Sequence, residues 1–331
     1  MQGFVDGVAP APAIYHLTGM RPSAAGHGTS EFELPATGWL AGPSGHILGG
    51  TLAVLADGPL GCAIQTTLPA ATGYTTAELS LSYLRPAVPD GTMLTARGRC
   101  VHGGRSLALS EVMVYDGQGR ALAHGTSRCF VFPPAPISDP VPEPPVAELP
   151  DYPTPNPFER APLGAVTPPE AWSRLSGLEL LQGWIAGELP LPPIYHLTGQ
   201  RPIATGEGTA TFAMPASGWL ASPAGTVEGG FLAMLADAAA AGAVQSTVPA
   251  GSAFTPTDIT VKFVRPVPPD GGQLVAEARV LHRGRSMAVA EAQVRNAEGK
   301  LVCTALGSAL ILPGRAMSTA IVPDDEAVSA R

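Results

Sequence analysis

Twice in this chain a pair of glycines opens an apolar run that ends at an aspartate eight positions after the first glycine. The first instance is Gly49-Gly50-Thr51-Leu52-Ala53-Val54-Leu55-Ala56-Asp57, and the second is Gly229-Gly230-Phe231-Leu232-Ala233-Met234-Leu235-Ala236-Asp237. Apart from Thr51, nothing between the glycines and the acid is polar, and the residues favour a helix. An unpaired carboxylate buried in such a run costs several kcal/mol, so each aspartate needs a partner or a task. As a helix the step rises ~12 Å, which puts the glycines at an N-terminus. There the free N–H groups and the dipole favour negative charge. Amides that can hold a developing oxyanion, together with a carboxylate that can take a proton, are the parts of a hydrolytic site. The plainer alternatives are glycines that permit close packing and aspartates hydrogen-bonded at an interface.

Around these runs the chain repeats itself. Ile14-Tyr15-His16-Leu17-Thr18-Gly19 returns as Ile194-Tyr195-His196-Leu197-Thr198-Gly199, and the copies align without a gap at an offset of 180 as far as Pro133 and Pro313. About 40% of aligned positions are identical, which marks a duplicated domain and not a solenoid of short repeats. In the first copy the pattern predicts a strand over 28–35, a Gly/Pro-rich loop over 37–48 and a helix over 49–67. Strands over 74–84, 94–102, 106–115 and 120–132 follow, the last two joined by an Asp116-Gly117 hairpin. One long helix followed by an antiparallel meander is an α+β pattern. The domains are read as 1–133 and 168–314. A proline-rich extended linker over 134–167 joins them and a frayed tail covers 315–331. A leading helix from Pro168-Pro169-Glu170 through Trp172, Leu175, Leu178, Leu181 and Trp184 precedes the second copy. The first copy is expected to lack an equivalent, and Pro59 to kink its helix.

Composition narrows the function. The net charge is −8, which argues against nucleic acid as a partner. Apolar residues make up 45% and charged residues 14% of the 331 positions, enough for two sizeable cores. No apolar run has the length of a membrane span and the first residues do not read as a secretory signal, so no membrane partner is expected. Cys62, Cys100, Cys129 and Cys303 lack metal-type spacing and read as reduced thiols of a cytoplasmic protein. No serine or cysteine has a nucleophile-elbow context.

Taken together, Gly49-Gly50 to Asp57, Leu68-Pro69, Tyr74-Thr75-Thr76-Ala77-Glu78-Leu79, Leu84-Arg85-Pro86, His102-Gly103-Gly104-Arg105 and the Asp116-Gly117 hairpin resemble the PaaI-type hotdog-fold thioesterases, here in tandem. The resemblance implies two hotdog domains, each a long helix wrapped by an antiparallel sheet, paired within the chain. It implies hydrolysis of acyl-CoA thioesters at the seam, with no cofactor beyond the CoA of the substrate, and association of double-hotdog chains into a homo-oligomer. By the family's logic the glycine amides polarise the thioester carbonyl, and the acid of the partner helix is general base or nucleophile. Asp57 would then work with Gly229 and Gly230, and Asp237 with Gly49 and Gly50. Thr76 matches a water-orienting hydroxyl; Pro256 stands at that position in the second copy.

Two family positions before the helix differ. The asparagine becomes Gly42 and Ser222, and the histidine becomes Leu48 and Glu228. Glu228 is read as a solvated acid favoured by the helix dipole, with a substitute acid in the Asp57 site as the sharper alternative. Trp39 and Trp219 are expected to pack the loop before the helix and to be available to line an acyl pocket. Arg105, Arg283 and Arg285 are candidates for CoA phosphates, against ordinary turn cations; His102 and His282 read as turn residues. Two further readings follow from the missing asparagine and histidine: a hotdog that binds acyl-CoA with little or no hydrolysis, and, more weakly, a hydratase or dehydratase, which would need a histidine near the helix start.

Overall fold

The computed structural model describes residues 2–134, 160–315 and 317. The first repeat runs α1 (Gln2–Val5), α2 (Ala13–Thr18), β1 (Arg21–Gly26), β2 (Thr29–Pro35), α3 (Gly49–Gln65), β3 (Tyr74–Tyr83), β4 (Met93–Gly103), β5 (Leu107–Tyr115) and β6 (Ala121–Val131). The second runs α4 (Pro169–Arg174), α5 (Gly177–Ala186), α6 (Pro193–Thr198), β7 (Arg201–Gly206), β8 (Thr209–Pro215), α7 (Gly229–Gln245), β9 (Ala253–Phe263), β10 (Gln273–Arg283), β11 (Met287–Arg295) and β12 (Leu301–Leu312). The architecture is α+β: two tandem hotdogs, α3 and α7 each wrapped by an antiparallel sheet.

The two sheets are continuous, in the order β1-β2-β4-β5-β6-β3-β9-β12-β11-β10-β8-β7. Antiparallel pairing of β3 with β9 makes the seam, and Ser80 faces Thr260, its own counterpart 180 positions on. Their hydroxyls are 2.9 Å apart, so the pseudo-twofold axis passes between them. Two places away, Glu78 pairs with Lys262 and forms an ion pair with it. Alternating burial along the strands turns one face onto α3 and α7, as in Ala121–Val131, where alternate residues are buried.

The two central helices meet under the seam. A methyl group built on Gly50 would lie 2.6 Å from Met234 Cα, and one on Gly230 would lie 2.5 Å from Val54 Cα. Only a residue without a side chain allows backbones to approach this closely. Pro59 does not end its helix, since α3 and α7 are both 17 residues long. The proline is accommodated by the sheet: at Gly98 an added Cβ would sit 2.4 Å from the Pro59 carbonyl oxygen. The second copy has alanine at both equivalent positions, Ala239 and Ala278.

Several expectations change. The leading helix is two helices, because Leu175 is extended and Ser176 starts α5 with a capping box to Glu179. The first copy does carry an equivalent of this leader: α1 packs on β1 as α5 packs on β7. The short helices α2 and α6 and the edge strands β1 and β7 also lie outside the sequence pattern, the strands because each contains a proline, Pro22 or Pro202. The proposed linker lies largely on 135–159, and the tail almost wholly on 316 and beyond, outside the described residues. Residues 160–168 touch both copies: Thr167 donates its amide to the Pro43 carbonyl at 2.8 Å, and Ala165 donates to the Leu191 carbonyl at 3.1 Å. Among the described residues no helix is long and apolar enough to cross a membrane.

Candidate active site

Each central helix begins at its first glycine, and the acid of the other helix caps it. The amide of Gly50 donates to Asp237 Oδ2 at 2.9 Å, and the amide of Gly230 donates to Asp57 Oδ2 at 2.9 Å. The structure thus brings Asp57 to Gly229 and Gly230, and Asp237 to Gly49 and Gly50, across the seam. The preceding amides, those of Gly49 and Gly229, stand one step nearer the helix end. At that position no helical acceptor exists, so they are the donors left for a ligand. Both acids are buried, and the capping bonds to a charged acceptor offset part of the desolvation cost.

The two sites differ in what surrounds the acid. Asp237 Oδ1 accepts a hydrogen bond from the Tyr83 hydroxyl at 3.1 Å. Burial raises the Asp237 carboxyl to about 6, while the Tyr83 and Gly50 donors work against that rise. Asp258 adds a smaller upward push. A small cleft adjoins Asp237, lined by Ala240, Ala241, Pro256, Asp258 and Gly307 among others. At the equivalent of Tyr83 stands Phe263, which approaches Gly229 without a hydroxyl to offer Asp57.

Asp57 has a second acid beside it instead. Glu228, the residue before α7, is only 8% exposed, so the expectation of a solvated dipole-favoured acid is overturned: the side chain turns inward. Burial, and next the neighbouring Asp57 carboxyl, push Glu228 well above the usual carboxylate range. Burial likewise raises Asp57, opposed by the Gly230 amide. Two carboxyls in one dry site cannot both ionise cheaply, so the pair resists losing its last proton. Burial raises the Cys62 thiol and the Tyr74 hydroxyl, and both acids add a smaller push in the same direction. In the Asp237 site the counterpart of Glu228 is Leu48, and a side chain on Gly42 would meet it, with an added Cβ 2.6 Å from Leu48 Cδ2.

The remaining candidates scatter. Thr76 lies on the Asp57 side, its hydroxyl 3.8 Å from Cys129 Sγ. Trp39 is buried and donates to the Arg160 carbonyl at 3.0 Å, which ties it to the connecting segment. Trp219 is buried likewise. Ser222 accepts from the Ala224 amide at 3.2 Å and shapes its turn. Arg105, Arg283 and Arg285 are exposed. Arg283 binds the Thr247 hydroxyl beyond the end of α7; ten helical residues separate that point from Asp237, or ~15 Å. The structure does not bring these arginines to the acids. Tyr83 escaped the sequence reading, although its exchange for Phe263 in an otherwise close alignment is a visible signal.

The fold and the seam site together define a double-hotdog protein. The model of the thioesterase superfamily matches residues 44–123 and 224–303, the central part of each repeat. Each repeat thus matches the thioesterase superfamily over its central part. Among solved structures, the tesB protein of Mycobacterium avium subsp. paratuberculosis is 19% identical over 91% of this chain and 98% of that one, with a TM-score of 0.55. Acyl-CoA thioesterase II TesB2 of Mycobacterium marinum is 14% identical over 93% and 99%, with a TM-score of 0.54. A hot dog fold protein of unknown function from Alicyclobacillus acidocaldarius is 16% identical over 91% and 98%, with a TM-score of 0.56. At these identities the likeness concerns the double-hotdog fold. No curated protein matches the chain.

Proposed function

We propose that the chain hydrolyses acyl-CoA thioesters and that Asp237 is the general base. The single observation carrying this reading is the Asp237 carboxylate held at the N-terminus of the opposite helix, 2.9 Å from the Gly50 amide, with the unbonded Gly49 amide beside it. Above about 6 the carboxylate is ionised and can accept a proton from water as that water attacks the thioester carbonyl. The oxyanion that forms is stabilised by the first amide of α3 and by the helix dipole. Collapse of the tetrahedral intermediate breaks the C–S bond. The CoA thiolate leaves and takes up the proton held by Asp237, and the free acid is the other product. CoA enters only as part of the substrate, and the chemistry requires no further cofactor.

Asp57 is the poorer base in this reading, because Glu228 shares its site and keeps a proton there. A second reading is favoured by one observation: the amides of Gly50 and Gly230 are already occupied by the acids. In that reading the chain binds acyl-CoA and cuts it slowly or not at all. Incubation with short, medium, long and aromatic acyl-CoAs, with thiol release followed by a chromogenic disulfide, separates the two. Hydrolysis predicts release that saturates with at least one substrate. Thermal stabilisation by acyl-CoA with no thiol released on any member of the panel would favour the binding reading.

A further inference from the structure

Resting on the assignment of Asp237 above, we infer that Tyr83 is a positioning residue, whose hydroxyl fixes the Asp237 carboxylate and so makes the two pseudo-equivalent sites unequal. Tyr83 lies at the last position of β3, where the strand passes the start of α3. Its ring covers Gly49, since a Cβ built there would fall 2.5 Å from the ring carbon that bears the hydroxyl. The hydroxyl donates across the seam to Asp237 Oδ1 at 3.1 Å. One side chain therefore touches both the helix start that offers the amides and the acid that faces it.

With the Gly50 amide on Oδ2 and the Tyr83 hydroxyl on Oδ1, each carboxylate oxygen has its own donor. That arrangement fixes the plane of the acid, so a water bound to it approaches from one direction. The groups facing Asp237 are Tyr83 from β3, Asp258 from β9 and the more distant Tyr195 from α6. Burial and the neighbouring Asp237 charge hold the Tyr83 phenol protonated, so it acts as a donor throughout the working range. The chain contains its own control. Phe263 occupies the matching place beside Gly229, which shows that the fold accepts a phenyl ring there and that the hydroxyl is not needed for packing.

The test is Tyr83→Phe in the full chain. Loss of a donor to a charged acceptor is expected to lower kcat about tenfold, with KM little changed and the melting temperature close to wild type. Removing a bond that favours the ionised form must also move the acid limb of the pH–rate profile to higher pH. The same upward shift is expected in the carboxyl carbon titration of Asp237, followed by NMR on aspartate-labelled protein and assigned with Asp237→Asn. That readout does not depend on turnover, so it stands even if acyl-CoA proves to be bound and not cut. An unchanged Asp237 titration in Tyr83→Phe overturns the inference. An unchanged titration with a lower melting temperature would leave Tyr83 as a packing residue only.

Discussion

The Oδ2 atom of Asp237 lies 2.9 Å from the amide nitrogen of Gly50, although 187 positions separate the two residues. Asp57 stands in the same relation to Gly230. Each acid closes the helix that carries the other acid, so neither half can form its site alone.

That crossing depends on absent side chains. Gly50→Ala places a methyl group 2.6 Å from Met234 Cα, and backbone cannot move aside as a side-chain tip can. The expected cost is about 2 kcal/mol or more, together with loss of the capping bond to Asp237. Urea unfolding of the variant measures the first effect, and activity reports the second. Stability equal to wild type would show that the helices separate easily.

Activity should follow the ionisation of Asp237. Its carboxyl is raised to about 6, so kcat/KM is expected to climb with pH through that value and to level off above it. A base with an ordinary aspartate pKa would keep full activity about two units lower. A flat profile between pH 5 and 8 would contradict a buried carboxylate base.

The Glu228 carboxyl predicts a stability effect of definite sign. Its folded pKa is raised, so the folded chain holds a proton that the unfolded chain releases above the ordinary glutamate value. Wild-type stability therefore falls as pH rises through the interval between the two values. Glu228→Gln removes this dependence, and its melting temperature relative to wild type is expected to increase between pH 5 and 9. A difference that stays constant over that range would place Glu228 in solvent.

The large features were legible in the sequence for physical reasons. Gly-Gly before an apolar run marks a helix start, and alternation with Asp116-Gly117 marks the final hairpin. The offset repeat implies that what one half builds the other builds too. Short elements escaped because their signals are weak: α2 has six residues, and Pro22 masks β1. The break between α4 and α5 was written in Ser176 and Glu179, a capping signature hidden inside an apolar spacing that reads as continuous. Glu228 was misread because the helix dipole accounts for an acid at that position without burial. Only the fold reveals that Asp57 already lies inside. Tyr83 and Asp237 are 154 positions apart, and no local pattern joins them.

The most direct test compares Asp237→Asn and Asp57→Asn on the best acyl-CoA substrate at pH 8, with folding checked by circular dichroism. The amide oxygen of asparagine still accepts the capping bond, so both variants should fold. Asp237→Asn is expected to lower kcat by at least about a hundredfold, and Asp57→Asn to leave it near wild type. Full activity in Asp237→Asn, or a loss confined to Asp57→Asn, would contradict the assignment of the base.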